Sequence, residues 1–212
     1  MFDIIKAGGW LMAPIILCSI TVVAIVAERL WTLQTRRVAP EHLAAQVWGW
    51  FRNGELDDER MQALRLSSPL GRILAAGLAH RHADRDTLNE AIEDTGRHVV
   101  HELDRYLITL GTIATISPLL GLLGTVLGIM RVFASISSSG LGNPAALAGG
   151  ISEALITTVA GLAVAIPAYI LHRYLRGKVD DLVVCMERET VRLMNAVRGI
   201  QPASQPATEA RA

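Results

Sequence analysis

The chain has 212 residues, 51% of them hydrophobic and 19% charged, and its 20 Lys and Arg balance 20 Asp and Glu. That balance leaves no basic surplus for nucleic acid, and apolar residues gathered in long blocks argue against a water-soluble globule. No phosphate-cradling loop, nucleophile elbow or plausibly placed pair of catalytic acids is present, so neither an enzyme nor a cofactor is indicated.

Trp10 to Ala27 carries no charge and includes Leu11, Ile15, Ile16, Leu17, Ile20, Val22, Val23, Ile25 and Val26. It meets the minimum of about 18 residues for a membrane-crossing helix and predicts a first span over 10–28, after a short segment 1–9. A cleaved signal peptide is the competing reading, because Lys6 precedes an apolar stretch that reaches Cys18. Against it, Leu17 stands where a cleavage site wants a small residue, and the apolar run continues beyond.

Residues 29–105 are too many for a simple connector and predict a helical module. Leu43 to Phe51 and Met61 to Ala79 read as shorter helices, interrupted at Asn53-Gly54 and at Ser68-Pro69. Thr87 to Leu107 follows, with Leu88, Ala91, Ile92, Val99, Leu103 and Leu107 at helical spacing and Thr87 with Glu90 as a capping box. This helix is expected to run unbroken into the next span. Acidic and basic residues are interspersed throughout the module, so nucleic acid is not an expected partner.

Leu107 to Met130 is uncharged and predicts a second span over 106–132. A loop over 133–146 leads to a third span over 147–172. Beyond Leu171, the residues Tyr174, Leu175, Val179, Leu182, Val183, Met186 and Leu193 keep helical spacing between charges, so the last helix is expected to continue over 173–200. The tail 201–212, with two prolines and few apolar residues, is expected to be disordered.

Basic residues flank the same side of each span. Arg29, Arg36 and Arg37 follow the first, Arg97 and Arg105 precede the second, and Arg173, Arg176 and Lys178 follow the third, whereas Ala134 to Ala146 has no charge. Basic ends prefer the cytoplasm, which puts the N-terminus outside and the C-terminus inside. The expected fold is therefore all-α, a multi-pass membrane protein with three transmembrane helices, a helical cytoplasmic insert and a long cytoplasmic extension of the last helix. Cys18 and Cys185 fall on different sides of this topology and cannot pair within one chain. His42, His80, His82, His98, His101 and His172 form no ligand pattern with Cys, so no metal site is expected. The basic rim of Arg29, Arg36, Arg37, Arg173 and Arg176 suits membrane lipids.

Glu153 is the only formally charged side chain between Arg131 and Arg173. An ionised group in hydrocarbon costs about 2.5–3.5 kcal/mol on insertion scales, and such groups usually face a bundle interior or a water-filled path. Ion or proton handling is one reading; a structural group that holds an oligomer together is the other. At about 100° per residue, Glu153 shares a face with Gly149, Gly150, Thr157, Ala160, Gly161 and Pro167. Leu155, Val159, Leu162 and Ile166 lie opposite, and Val164 interrupts the small stripe. The second span lines up Gly111, Ala114, Pro118, Gly121, Thr125 and Gly128 in the same manner. Small residues let membrane helices approach closely, and Thr125 suits either an interhelical hydrogen bond or a proton path. Pro118 and Pro167 each free a carbonyl, either at a kink or toward pore water.

Two stretches carry a family resemblance. Gly111-Thr-Ile-Ala-Thr-Ile-Ser-Pro-Leu-Leu-Gly-Leu-Leu-Gly-Thr-Val-Leu-Gly-Ile-Met130 and Gly150-Ile-Ser-Glu-Ala-Leu-Ile-Thr-Thr-Val-Ala-Gly-Leu-Ala-Val-Ala-Ile-Pro167 resemble the signature of the MotA/TolQ/ExbB proton-channel family. Three spans match its ExbB-like and TolQ-like members rather than the four-span MotA. The resemblance implies an inner-membrane homo-oligomer, commonly a pentamer. Its central pore would hold an ExbD-like or TolR-like single-span partner and couple the proton-motive force to a TonB-like or TolA-like protein. By motif position Glu153 corresponds to the pore glutamate, with Thr125 and Thr158 as pore threonines. Thr157 is a further candidate, because helix geometry puts it on the Glu153 face and Thr158 about 140° away. Gly121, Gly124, Gly128, Gly161, Pro118 and Pro167 are expected to serve helix packing. The resemblance also implies a partner aspartate that steps between subunits when protonated, each proton releasing about 2.3 kcal/mol across 100 mV. Glu153 then either relays the proton or sets the local field.

Overall fold

A computed structural model describes residues 9–139 and 144–200, and every regular element among them is helical. In chain order these are α1 (Met12–Thr32), α2 (Thr35–Val38), α3 (Leu43–Arg52), α4 (Asp58–Ser67), α5 (Pro69–Ala79), α6 (Arg85–Leu103), α7 (Leu107–Ser139) and α8 (Pro144–Ile200). Three helical stretches are long and apolar enough to cross a membrane; they fall on α1, α7 and the first part of α8. The residues group into two compact units, one of residues up to 31 with 105–177, the other of 32–104 with those from 178 on.

In the first unit, α1 buries Met12, Ile15, Val22, Ile25 and Arg29 along one stripe, while Leu17, Ile20 and Val23 on its other side are each about two-thirds exposed. A side chain on that outer face needs an apolar surrounding, as a bilayer supplies. Arg29 closes the stripe. Its Nε lies 2.7 Å from a Glu28 carboxylate oxygen, and its guanidinium stacks 5.2 Å from the centre of the Tyr106 ring, so its charge is paired as burial demands.

The second unit is built on ordinary helix-start chemistry. The Asp57 carboxylate accepts from the Arg60 amide at 3.0 Å, and Ser68 Oγ accepts from the Gly71 amide at 3.1 Å with Pro69 opening α5. Each satisfies a backbone donor that the first helical turn leaves without a partner. The apolar α5 forms the core, with Leu70, Leu74, Ala75 and Leu78 fully buried. Also buried in this unit are Leu88, Val99 and Leu103 of α6 and Val179, Leu182, Met186, Leu193 and Val197 of α8, and Met194 of α8 packs on Gly77 of α5. Arg72 of α5 and Glu102 of α6 join in a two-pronged ion pair at 2.8 and 2.5 Å. That hydrogen bond raises the Arg72 pKa above its ordinary value.

Three expectations change. The cap of α6 is Asp84, whose carboxylate accepts from the Thr87 amide at 3.3 Å and from the Thr87 hydroxyl at 2.5 Å. Thr87 thus lies inside the helix and is not its cap, because a carboxylate beside the helix N-terminus gains from the dipole as well as the hydrogen bond. The helix also does not run unbroken into α7. It stops at Leu103, and Tyr106 adopts φ 63° before α7 begins, a left-handed conformation that a helix cannot contain. Finally, α7 runs on to Ser139, so residues 133–139 are helical where a loop was expected. The expected tail 201–212 lies outside the described residues, as does most of segment 1–9.

Candidate functional site

α7 and α8 meet along two stripes of small residues. On α7 the stripe takes in the buried Leu110, Ala114, Ser117, Gly121, Gly124 and Gly128, and on α8 the buried Ala154, Thr157, Gly161, Ala165 and Ala168. The steps of three and four residues keep each stripe on one helix face. A Cβ added at Gly128 would lie 2.8 Å from both Ala154 Cβ and the Gly150 carbonyl, and one at Gly121 would lie 3.0 Å from Thr158 Cα. At Gly161 it would lie 2.5 Å from the Ser117 carbonyl oxygen. Numbers rise on α7 as they fall on α8, so the pair is antiparallel, with backbones close enough that only glycine fits at these crossings.

The candidate residues divide on this frame. Gly121, Gly124, Gly128 and Gly161 all lie in the contact. Thr157 is 1% exposed and packs against Gly124, its hydroxyl donating to its own helix at the Ala154 carbonyl, 2.9 Å. Thr158 is half-buried and donates across the contact to the Gly121 carbonyl at 3.1 Å. Thr125 is half-buried at the edge of the stripe, its hydroxyl on the Leu122 carbonyl at 2.6 Å. The two prolines do not share the packed faces. Pro118 sits beside the α7 stripe, half-buried, while Pro167 is exposed to the side of α8 that with Val22, Val26 and Leu30 of α1 lines a groove. Pro167 departs from the expected face because the buried stripe steps from Gly161 to Ala165 and Ala168, not to 167.

Glu153 lies at the edge of the contact, its side chain 19% exposed, in an ion pair with Arg131, whose side chain is 51% exposed. These are the only formally charged side chains from Tyr106 to His172, and the fold brings them together across 22 positions. The backbone of Gly9 closes over them. Gly9 has φ +68°, and a Cβ there would collide with the Glu153 carboxylate and lie 3.6 Å from Arg131 Nη1. Sequence reasoning singled out Glu153 and passed over Arg131. The available signal was that each of two apolar helices carries one charge, of opposite sign, and charges in apolar segments pair with one another.

Among the described residues no three His, Cys, Asp or Glu side chains come together in a way that could hold a metal ion. A mostly apolar groove in the second unit, lined by Ile73, Ile92, Val100, Met186 and Val191, contains none of the candidate residues.

The stripe and the charged pair lie within residues 65–188, which match the MotA/TolQ/ExbB proton channel family. The chain belongs to that family. It is 33% identical over 81% of its length to an ExbB-like protein of Synechocystis sp., covering 82% of that protein. It is likewise 33% identical to the biopolymer transport protein exbB1 of Vibrio cholerae, over 76% of this chain and 72% of that one. With the biopolymer transport protein ExbB of Neisseria gonorrhoeae it shares 38% identity over 49% of each chain. Family membership makes the chain an ExbB-like member of this proton-channel and transport family.

Proposed function

We propose that this chain is the proton-channel subunit of an ExbB–ExbD type motor in a bacterial inner membrane, with its N-terminus periplasmic and its C-terminus cytoplasmic. The observation that carries the reading is Glu153, the one acidic side chain in α7 and the apolar part of α8, held at the rim of the α7–α8 contact. Buried ionisable groups in membranes usually mark proton or ion paths.

Several copies are needed, since three helices cannot surround a partner helix. The outward faces of α7 and α8 fit that need: Leu119, Leu122 and Phe133, and Leu155, Val159 and Ile170, are each more than half exposed and must be covered by lipid or neighbouring copies. The reading takes a homo-oligomer, a pentamer by analogy, around an ExbD-like single-span partner. Glu153 with Thr125 and Thr158 line the path, and Thr157 supports it from the helix contact. A TonB-like protein would carry the work to the outer membrane. The ExbB names of the similar proteins favour this over a TolQ-type role in envelope maintenance.

Glu153→Gln keeps the size and removes the charge. In liposomes holding the protein with its co-expressed partner, it should abolish proton flux while the complex stays assembled. Unchanged flux would remove Glu153 from the path, and a complex that falls apart would make Glu153 a structural group in a non-conducting scaffold.

A further inference from the structure

We infer that Arg131 is a positioning residue that holds Glu153 for its task; this rests on the proton-path reading above. Each of α7 and the apolar part of α8 contains one charged side chain, and an isolated charge in such a helix is costly enough that it is found paired. The helix contact itself determines that these two meet. A Cβ at Gly150 would lie 2.6 Å from Val132 Cγ2, and one at Gly128 would lie 2.8 Å from Ala154 Cβ. Val132 and Gly128 flank Arg131 on α7, and Gly150 and Ala154 flank Glu153 on α8, so the two backbones are pinned on either side of the ion pair. Gly9 closes a further side, its Cβ position 3.1 Å from Glu153 Cδ.

A guanidinium anchored this way restricts the carboxylate to one arrangement and supplies its counter-charge, without itself entering the path. Half of the Arg131 side chain remains exposed, so the clamp stands at the edge of the contact, where a proton or a partner side chain can reach Glu153. Arg131 lies one residue past the Gly111–Met130 run that carries the family resemblance.

The test is proton flux in liposomes containing the protein and its co-expressed partner, with assembly of the complex measured in parallel. Arg131→Gln should lower flux by about tenfold to a hundredfold, since displacing a functional group by about 1 Å can cost about a hundredfold. Arg131→Lys, which keeps the charge, should restore much of it. The double variant Glu153→Gln with Arg131→Gln, in which neither charge remains, is compared with the single variants for assembly of the complex. Arg131→Gln with normal flux, beside a Glu153→Gln variant that has lost it, overturns this inference and leaves the proton-path reading standing. Glu153→Gln with normal flux overturns both. If Arg131→Gln alone does not assemble, the double variant decides. Assembly of the double variant shows that the unpaired Glu153 charge caused the failure and supports the inference; its failure assigns Arg131 to packing and overturns it.

Discussion

Gly161→Ala tests the closeness of the α7–α8 contact. The new methyl would stand 2.5 Å from the Ser117 carbonyl oxygen, 3.1 Å from Gly121 Cα and 3.2 Å from Gly121 N. Carbon atoms in contact sit about 3.5–4.0 Å apart, and all three neighbours are backbone, so the helices must separate by several tenths of an ångström. Overpacking of this kind costs about 1–3 kcal/mol, and alanine's better helix propensity returns about 0.8–1.0 kcal/mol. The difference is a net loss of about 0–2 kcal/mol, and separation that also loosens the Gly121 and Gly128 crossings puts it near about 2 kcal/mol. For a chain of this size that lowers Tm by about 4–8 °C, read by circular dichroism of the protein in mild detergent. Gly49→Ala is the control: it is a mid-helix glycine with nothing within 4 Å of an added Cβ, and it should raise stability by up to about 1 kcal/mol. A Gly161→Ala protein as stable as the parent would refute the close-packed contact.

Thr158→Val keeps shape but removes the hydrogen bond to the Gly121 carbonyl, and should cost about 0.5–1.5 kcal/mol in the same melt. The isosteric Thr157→Val gives up only a bond within its own helix and should cost less. Asp84→Ala should lower Tm at neutral pH by removing the cap of α6. The Asp84 pKa is held below its ordinary value by the Thr87 hydrogen bonds, so its contribution is present above the unfolded carboxylate pKa and is lost as pH falls through the lower folded one. The Tm difference between Asp84→Ala and the parent should therefore shrink in acid; a difference that persists unchanged would refute the capping role.

Much of the local structure was legible in the sequence. The interruptions at Asn53-Gly54 and Ser68-Pro69 were read correctly, because turn residues and prolines act on their own backbone and need no tertiary partner. The α6 start was misread because two capping patterns overlap. Thr87 and Glu90 fit the capping box, yet Asp84 three residues earlier binds the Thr87 amide and hydroxyl, and a pattern alone does not rank the two. The break before α7 was invisible, since Asp104, Arg105 and Tyr106 include neither Gly nor Pro. Tyr106 reaches φ 63° with the Arg29 and Arg105 guanidiniums stacked over its ring, and contact with Arg29 spans most of the module.

The candidate site divides along the same line. The family motif and the lone acidic residue can be found from one stretch of chain, and so can a stripe of small residues, because helical spacing fixes which side chains share a face. Spacing does not say what that face touches. Only the packing of α7 on α8 decided that Thr157 is buried against Gly124, that Thr158 reaches the Gly121 carbonyl and that Pro167 lies off the contact. By itself the sequence determined three apolar spans, a helical module and a charge that apolar surroundings must justify, since hydropathy and helix propensity are properties of neighbouring residues. That Arg131 meets this charge from 22 positions away was decided by the tertiary structure, because only glycine-close backbones in antiparallel register bring the two side chains within reach.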